Sequence, residues 1–224
     1  MACLYDGMSL QNGRSVNMDS LLLKERIIGG RSVCFAVVCD GVGSLRDGAF
    51  AASTAVRLLS GWFDGLSETR RLGLLLRDAV GQADRTIAAQ AEAQGFRTAA
   101  TLSALVTDQE HYYIVHTGDS RIYGWWDGEL ELLTQDQVAE GKLTSCIGRP
   151  AGAVLFYNEG LCRSGTFLLC SDGLYKRMDR AFLCSELSRL SPRSIRRTME
   201  RLTDHVIGRG ETDNISVALM MSKK

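Results

Sequence analysis

Val33-Cys34-Phe35-Ala36-Val37-Val38-Cys39 runs directly into Asp40-Gly41-Val42-Gly43, and the reading of this stretch decides the fold. Consecutive apolar or small residues, rich in valine, predict a strand buried on both faces. The strand ends on an aspartate. A carboxylate at the end of a buried strand is costly unless a positive or hydrogen-bonding group meets it. The two glycines let the backbone turn tightly and leave room for a close approach. Two readings are open at this point: a metal-ligating carboxylate, or a plain strand followed by an Asp-Gly turn.

Repetition shifts the weight toward the first. Thr166-Phe167-Leu168-Leu169-Cys170-Ser171 runs into Asp172-Gly173, and the apolar Tyr112 to Val115 leads to His116-Thr117-Gly118-Asp119-Ser120-Arg121. Asp213 precedes the alternation Ile215-Ser216-Val217-Ala218-Leu219, and Asp19 closes Arg14-Ser15-Val16-Asn17-Met18-Asp19. Strand-end aspartates that converge repel one another and need divalent cations to coexist as carboxylates.

The whole chain sets bounds on this chemistry. Its 224 residues suit one domain, residues 1–224, with a large core. Acidic and basic residues balance at 26 each, so no global field points to nucleic acid or a membrane surface. No apolar stretch is long enough for a membrane span, and no basic-then-apolar leader opens the chain. The seven cysteines (3, 34, 39, 146, 162, 170 and 184) form no Cys-x-x-Cys pair. They are expected to be buried, reduced packing thiols of a cytoplasmic protein; a disulfide or zinc framework is the alternative.

Patterning predicts the elements in order. Early strands are expected at 3–9 and 20–24, around an Asn12-Gly13 turn, followed by the strand 33–39. Apolar residues at helical spacing predict helices over Gly48 to Phe63 and Glu68 to Gln94. Strands follow at 99–107, 111–117, 121–126 and 130–133, with hairpin turns at Asp108-Gln109-Glu110 and Asp127-Gly128. The polar stretch 134–149 reads as mostly loop. Strands return at 153–157 and 166–170. Helices are expected over 179–190 and 192–207, the second with Ser191 as N-cap and Pro192 in its first turn, and a last strand over 214–221. This order predicts an α+β layered domain rather than a doubly wound parallel sheet.

Taken in chain order, the motifs are Arg14 with Asn17-Met18-Asp19, Asp40-Gly41-Val42-Gly43, Thr98-Ala99-Ala100-Thr101-Leu102, Gly118-Asp119-Ser120-Arg121, Ser171-Asp172-Gly173-Leu174 and Asp213-Asn214. In this order and rough spacing they resemble the metal-dependent serine/threonine protein phosphatases of type 2C, in their short bacterial form, over about Met8 to Met220. The resemblance implies a four-layer α-β-β-α sandwich, two antiparallel sheets flanked by helix pairs. It implies hydrolysis of phosphoserine and phosphothreonine by two Mg²⁺ or Mn²⁺ ions with a weaker third, which draw off charge and lower the pKa of a bridging water. By the same resemblance Asp40 bridges the two ions, the Gly41 carbonyl binds one, Asp172 and Asp213 complete the other, and Asp119 serves the third. Asp19 would hold metal-bound waters, and Arg14 would clamp the phosphate through its planar guanidinium. The implied partners are phosphoproteins and a cognate Ser/Thr kinase in a signalling setting, with no nucleic acid and no membrane, and a monomer is expected.

Four departures from the family pattern stand out. Met18 takes the place of a Glu or Gln, Val42 that of a histidine found in eukaryotic members, and Ser44 that of a second glycine. The segment between Asp136 and Cys146, within the flap region of about 134–149, is short. Met18 and the short flap keep open a second reading, a weakly active or inactive relative that binds phosphoproteins as a regulatory module. The remaining candidates read as scaffold. His111, His116 and His205 form no ligand cluster and are expected on strand or helix surfaces. Trp125-Trp126 marks a hairpin end, with one exposed indole as a contact in the alternative. The basic run Arg193, Arg196, Arg197 and Arg201 reads as a solvated helix face, with docking of an acidic partner as the alternative.

Overall fold

The computed structural model describes residues 3–43, 45 and 47–222; Ser44 lies outside the described residues. The strands are β1 (Leu4–Leu10), β2 (Asp19–Ile28), β3 (Arg31–Asp40), β4 (Leu102–Thr107), β5 (His111–Thr117), β6 (Arg121–Trp126), β7 (Glu129–Leu132), β8 (Val138–Ala139), β9 (Lys142–Leu143), β10 (Phe156–Leu161), β11 (Gly165–Cys170) and β12 (Ile215–Ser222). The helices are α1 (Gly48–Gly65), α2 (Leu72–Ala93), α3 (Asp172–Tyr175), α4 (Arg180–Ser188) and α5 (Ile195–Gly208). One antiparallel sheet has the order β10-β5-β4-β3-β2, the other β1-β12-β11-β6-β7.

Strand β3 shows why the layers stack as they do. Its side chains alternate between two faces. Val33, Phe35, Val37 and Cys39 join the core under α1 and α2, whereas Cys34, Ala36 and Val38 join the core between the two sheets. Every one of these residues is at most 2% exposed. Burying Phe35 alone is worth about 2–3 kcal/mol. A third core seats α4 and α5 on the outer face of the second sheet through Leu183, Leu187, Met199 and Leu202. The result is the four-layer α-β-β-α sandwich.

Several boundaries differ from the sequence reading. Arg71 adopts φ 55°, so α2 starts at Leu72 and not at Glu68. The strand expected at 153–157 begins only at Phe156, because the Ala153 N–H is held at 2.8 Å by the buried Asp84 carboxylate. Ser194, not Ser191, precedes α5; Ser191 and Ser194 close a turn ahead of the helix, with the Ser191 carbonyl accepting the Ser194 N–H at 3.0 Å. The stretch 134–149 contains the small hairpin β8-β9, turned by Glu140 and Gly141 at φ 51° and 73°.

Scaffold readings fare unevenly. All seven cysteines are free thiols. His116 is fully buried rather than on a surface, and burial lowers its pKa to about 4. Trp126 is buried, with its indole N–H on Glu131 at 3.0 Å. Arg201 is tied to the buried Glu186 at 2.5 Å, and Arg196 reaches Asp6 and the Gly7 carbonyl. Arg193 and Arg197 are exposed. Among the described residues no helix is long and apolar enough to cross a membrane.

Candidate active site

One end of the sandwich carries a cleft of about 1040 Å³, lined by Arg14, Met18, Asp40, Gly41, Val42, Asp119, Asp172 and Asp213, among others. Four of the five singled-out aspartates therefore meet in one place, from four separate parts of the chain. The fifth, Asp19, stands directly behind: it pairs in register with Asp40 across β2 and β3 and is 8% exposed.

The backbone brings them there. Asp40 ends β3, and its N–H donates to Thr101 Oγ1 at 3.0 Å while its carbonyl accepts the Thr101 N–H at 2.8 Å. Beyond it the Gly41 N–H reaches the Met18 carbonyl at 3.2 Å. A Cβ on Gly41 would lie 2.6 Å from the Gly48 carbonyl carbon, so glycine is required where the loop meets the start of α1. Asp172 opens α3 after β11. The following Gly173 is equally constrained, because a Cβ there would lie 2.1 Å from the Asn214 carbonyl oxygen. Asn214 in turn holds the Arg14–Asp19 loop. Its amide donates to the Gln11 and Val16 carbonyls at 2.8 and 3.1 Å, and its oxygen accepts the Met18 N–H at 2.9 Å.

The charges are poorly matched as they stand. Burial, then the charges of Asp19 and Asp172, push the Asp40 carboxyl well above the usual range. Burial raises Asp19 to about 6 although Ser216 and Ser171 oppose it; the Ser171 hydroxyl donates to its Oδ2 at 2.8 Å. Burial and Asp172 also raise Asp119. Asp213 goes the other way: burial pushes up, but Arg14 and the Asn214 N–H hold it below its usual value. Arg14 grips Asp213 with two hydrogen bonds of 2.8 and 2.7 Å. Lys176 grips Asp172 Oδ2.

Two buried carboxylate oxygens, Asp19 Oδ1 and Asp172 Oδ1, have no partner. Unsatisfied carboxylate oxygens beside groups that resist ionisation fit divalent cations, and an all-oxygen donor set suits hard ions of the Mg²⁺ and Mn²⁺ type. Among the described residues no three such side chains already close round a common metal position, in keeping with Arg14 and Lys176 engaging two of the carboxylates.

Sequence reasoning missed four supports. Lys176 gave no motif. Ser171 belongs to the motif Ser171-Asp172-Gly173-Leu174, yet nothing in the motif signals that its hydroxyl bridges Asp19 and the Ser216 N–H. Asp84 fixes the Arg149 loop through the Gly148 and Ala153 N–H groups at 2.7 and 2.8 Å; a lone Asp within the apolar periodicity of α2 was the available signal. Gln137 anchors the β8-β9 hairpin, its Oε1 accepting from the Thr117 hydroxyl and the Gly118 N–H at 2.9 Å each, and Gly141 to Leu143 of that hairpin wall the cleft.

Known proteins of the same shape carry similar names. The catalytic domain of the serine/threonine protein phosphatase PstP, solved in complex with two manganese ions, is 26% identical, with a TM-score of 0.80 over 98% of this chain and 97% of that one. A bacterial serine phosphatase superposes with a TM-score of 0.89 at 16% identity, over 99% of this chain and 98% of that chain, a likeness of fold. The serine/threonine phosphatase Stp of Listeria monocytogenes is 27% identical over 212 residues, 82% of each chain. The sequence profile described as Protein phosphatase 2C matches residues 7–207, and the chain belongs to the protein phosphatase 2C family.

Proposed function

We propose that this chain hydrolyses phosphoserine and phosphothreonine monoesters of proteins, using two Mg²⁺ or Mn²⁺ ions held by Asp40, the Gly41 carbonyl, Asp172 and Asp213. The observation that carries this reading is the pair of buried, unpartnered carboxylate oxygens on Asp19 and Asp172 beside the strongly raised Asp40. When bound, the ions supply a water of lowered pKa and offset the charge of the phosphoryl oxygens. Asp213 lies just beyond the span matched by the family profile, so its role rests on its place in the cleft.

The protein's own groups do the positioning. Arg14 holds Asp213 in the two-pronged geometry that also matches two phosphate oxygens. Its side chain is 56% exposed, so it is free to swing from the carboxylate to an arriving phosphoester. Asp19, held by Ser171 through Oδ2, has its Oδ1 buried and without a partner, an acceptor for water that the ions would carry. Val42 lines the cleft with no proton to give, which leaves protonation of the departing oxygen to solvent.

Phosphoproteins, including the targets of a cognate Ser/Thr kinase, are the substrate class we assign, with residues 1–224 acting as one phosphatase domain that works as a monomer. Seven free cysteines support a cytoplasmic setting. Met18, an apolar side chain in the cleft wall, favours the alternative of a weakly active phosphoprotein-binding relative. Release of phosphate from a phosphothreonine peptide, measured with EDTA and after adding back Mn²⁺ or Mg²⁺, decides between the two. Metal-restored turnover is expected, and metal-independent binding without turnover would favour the alternative.

A further inference from the structure

A second hollow adjoins the catalytic cleft. It holds about 710 Å³ and is lined by Ala88 and Ala91 of α2, Phe96, Ala151, Val42 and Arg149, among others. Val42 and Arg149 also line the cleft that contains Asp40 and Asp172, so the two spaces share a wall. The hollow is held open by its surroundings. Phe96 is pinned past the end of α2 by its N–H on the Ala91 carbonyl at 3.1 Å, and its ring packs edge-on against Phe50 at 5.1 Å. The Thr98 hydroxyl ties the same segment to the start of α1 through the Asp47 carbonyl at 2.6 Å. In another wall the Arg149 turn closes from the Gly152 N–H to the Arg149 carbonyl at 2.9 Å, and Asp84 holds the Gly148 and Ala153 N–H groups that flank it. A preformed, mainly apolar hollow of this volume lies in the range of natural ligand pockets. The two other charged residues that line it, Glu92 and Arg97, are exposed and opposite in sign, so apolar surface selects the occupant.

We propose that this hollow is a substrate subsite, which takes a bulky apolar side chain of the phosphoprotein a few residues from the phosphoresidue. The inference rests on the phosphatase reading above. Continuity with the cleft names the occupant: a chain that leaves the cleft across the wall of Val42 and Arg149 meets apolar surface next. Arg149 suits that crossing. Its guanidinium carries five donors, and no carboxylate pairs with it among the described residues, so the donors are available to main-chain carbonyls of the crossing segment.

The test compares phosphothreonine peptides that carry leucine or alanine at each flanking position in turn, in Mn²⁺, and reads kcat/KM. The proteins are the wild type, Ala88→Trp and Ala151→Trp, which fill the hollow from two different segments, and Arg149→Met. Ala88 is half-buried and Ala151 exposed, so the Ala151 variant should fold even if the other does not; circular dichroism checks both. At one or more positions leucine should raise the wild-type kcat/KM by roughly tenfold or more, the scale set by extra methylenes in a hydrophobic pocket. The folded tryptophan variants should bring that ratio close to one. Arg149→Met should raise KM for both kinds of peptide alike, and an unchanged KM would overturn the part assigned to Arg149. A wild-type ratio near one at every position, or a leucine preference that survives in the filled variants, would overturn the inference while turnover leaves the phosphatase reading intact. A wild type that is dimeric by light scattering and monomeric once the hollow is filled would overturn it in favour of a second copy of the chain. A wild type that turns over no peptide would overturn the reading itself.

Discussion

Asp19→Asn tests whether the carboxylates are strained without metal. The Asp19 carboxyl is raised from 3.8 to about 6, chiefly by burial. At 1.36 kcal/mol per unit the ionised form costs the folded, metal-free protein about 3 kcal/mol. Its folded-state pKa lies above its unfolded value, so the penalty is absent below about 3.8, grows as pH rises, and is complete above about 6. Asparagine removes the charge and still accepts the Ser171 hydroxyl. It places an amide N–H₂ where Asp19 Oδ1 now has no partner, which gives back about 1–2 kcal/mol. The EDTA-treated variant should therefore be more stable than wild type by about 1–2 kcal/mol near pH 8, or about 3–6 °C in Tm. Near pH 4 the advantage should vanish or reverse. Thermal unfolding followed by circular dichroism, at both pH values and with excess Mn²⁺ at the higher one, gives the comparison; the ions should close the gap by stabilising the wild type. Equal destabilisation of the variant at both pH values would refute the idea that this carboxylate is strained.

Gly173→Ala should cost about 1–3 kcal/mol, because the new methyl collides with the Asn214 carbonyl; it should also weaken Mn²⁺ binding, since Asn214 holds the Arg14–Asp19 loop, and an unchanged Tm would show that the loop yields freely. Met18→Glu should tighten one metal site by about 1 kcal/mol, moving the Mn²⁺ midpoint of activity to lower concentration; no shift would mean that the new carboxylate does not reach the ions. With Val42 unable to donate a proton, log kcat should fall steeply with leaving-group pKa across aryl phosphates, and Val42→His should flatten the slope, because general acid help is worth roughly 10²–10⁴ in rate. A flat wild-type slope would point to another acid or to a step other than bond cleavage.

The layers were legible because β3 and β11 are apolar runs that only a doubly covered sheet can bury, and because hairpin turns such as Asp127-Gly128 follow local chemistry. Convergence of the aspartates was legible through their shared place at strand ends. What escaped the sequence depends on contacts between distant segments. Nothing near Leu72 announces that Arg71 takes a left-handed conformation. Nothing near Ala153 reveals that Asp84, 69 residues away, holds its N–H. His116 is set on a strand by its pattern, yet only the packed structure shows its ring buried between the Ser103 hydroxyl and the Gly118 and Gln135 carbonyls. Lys176 was invisible for the same reason: an i,i+4 partner of Asp172 is ordinary on a helix, and only the fold shows the pair lining a cleft with Asp40 and Asp119.

The central claim is that Asp40, at the end of the buried strand β3, holds the ions that drive phosphoester hydrolysis. The most direct measurement is kcat on a phosphothreonine peptide for wild type and Asp40→Asn, side by side in saturating Mn²⁺, with the fold of each checked by circular dichroism. The account predicts metal-dependent turnover in the wild type and its loss by orders of magnitude in a folded Asp40→Asn. Turnover near the wild-type rate in that variant, with Mn²⁺ still bound, would contradict it.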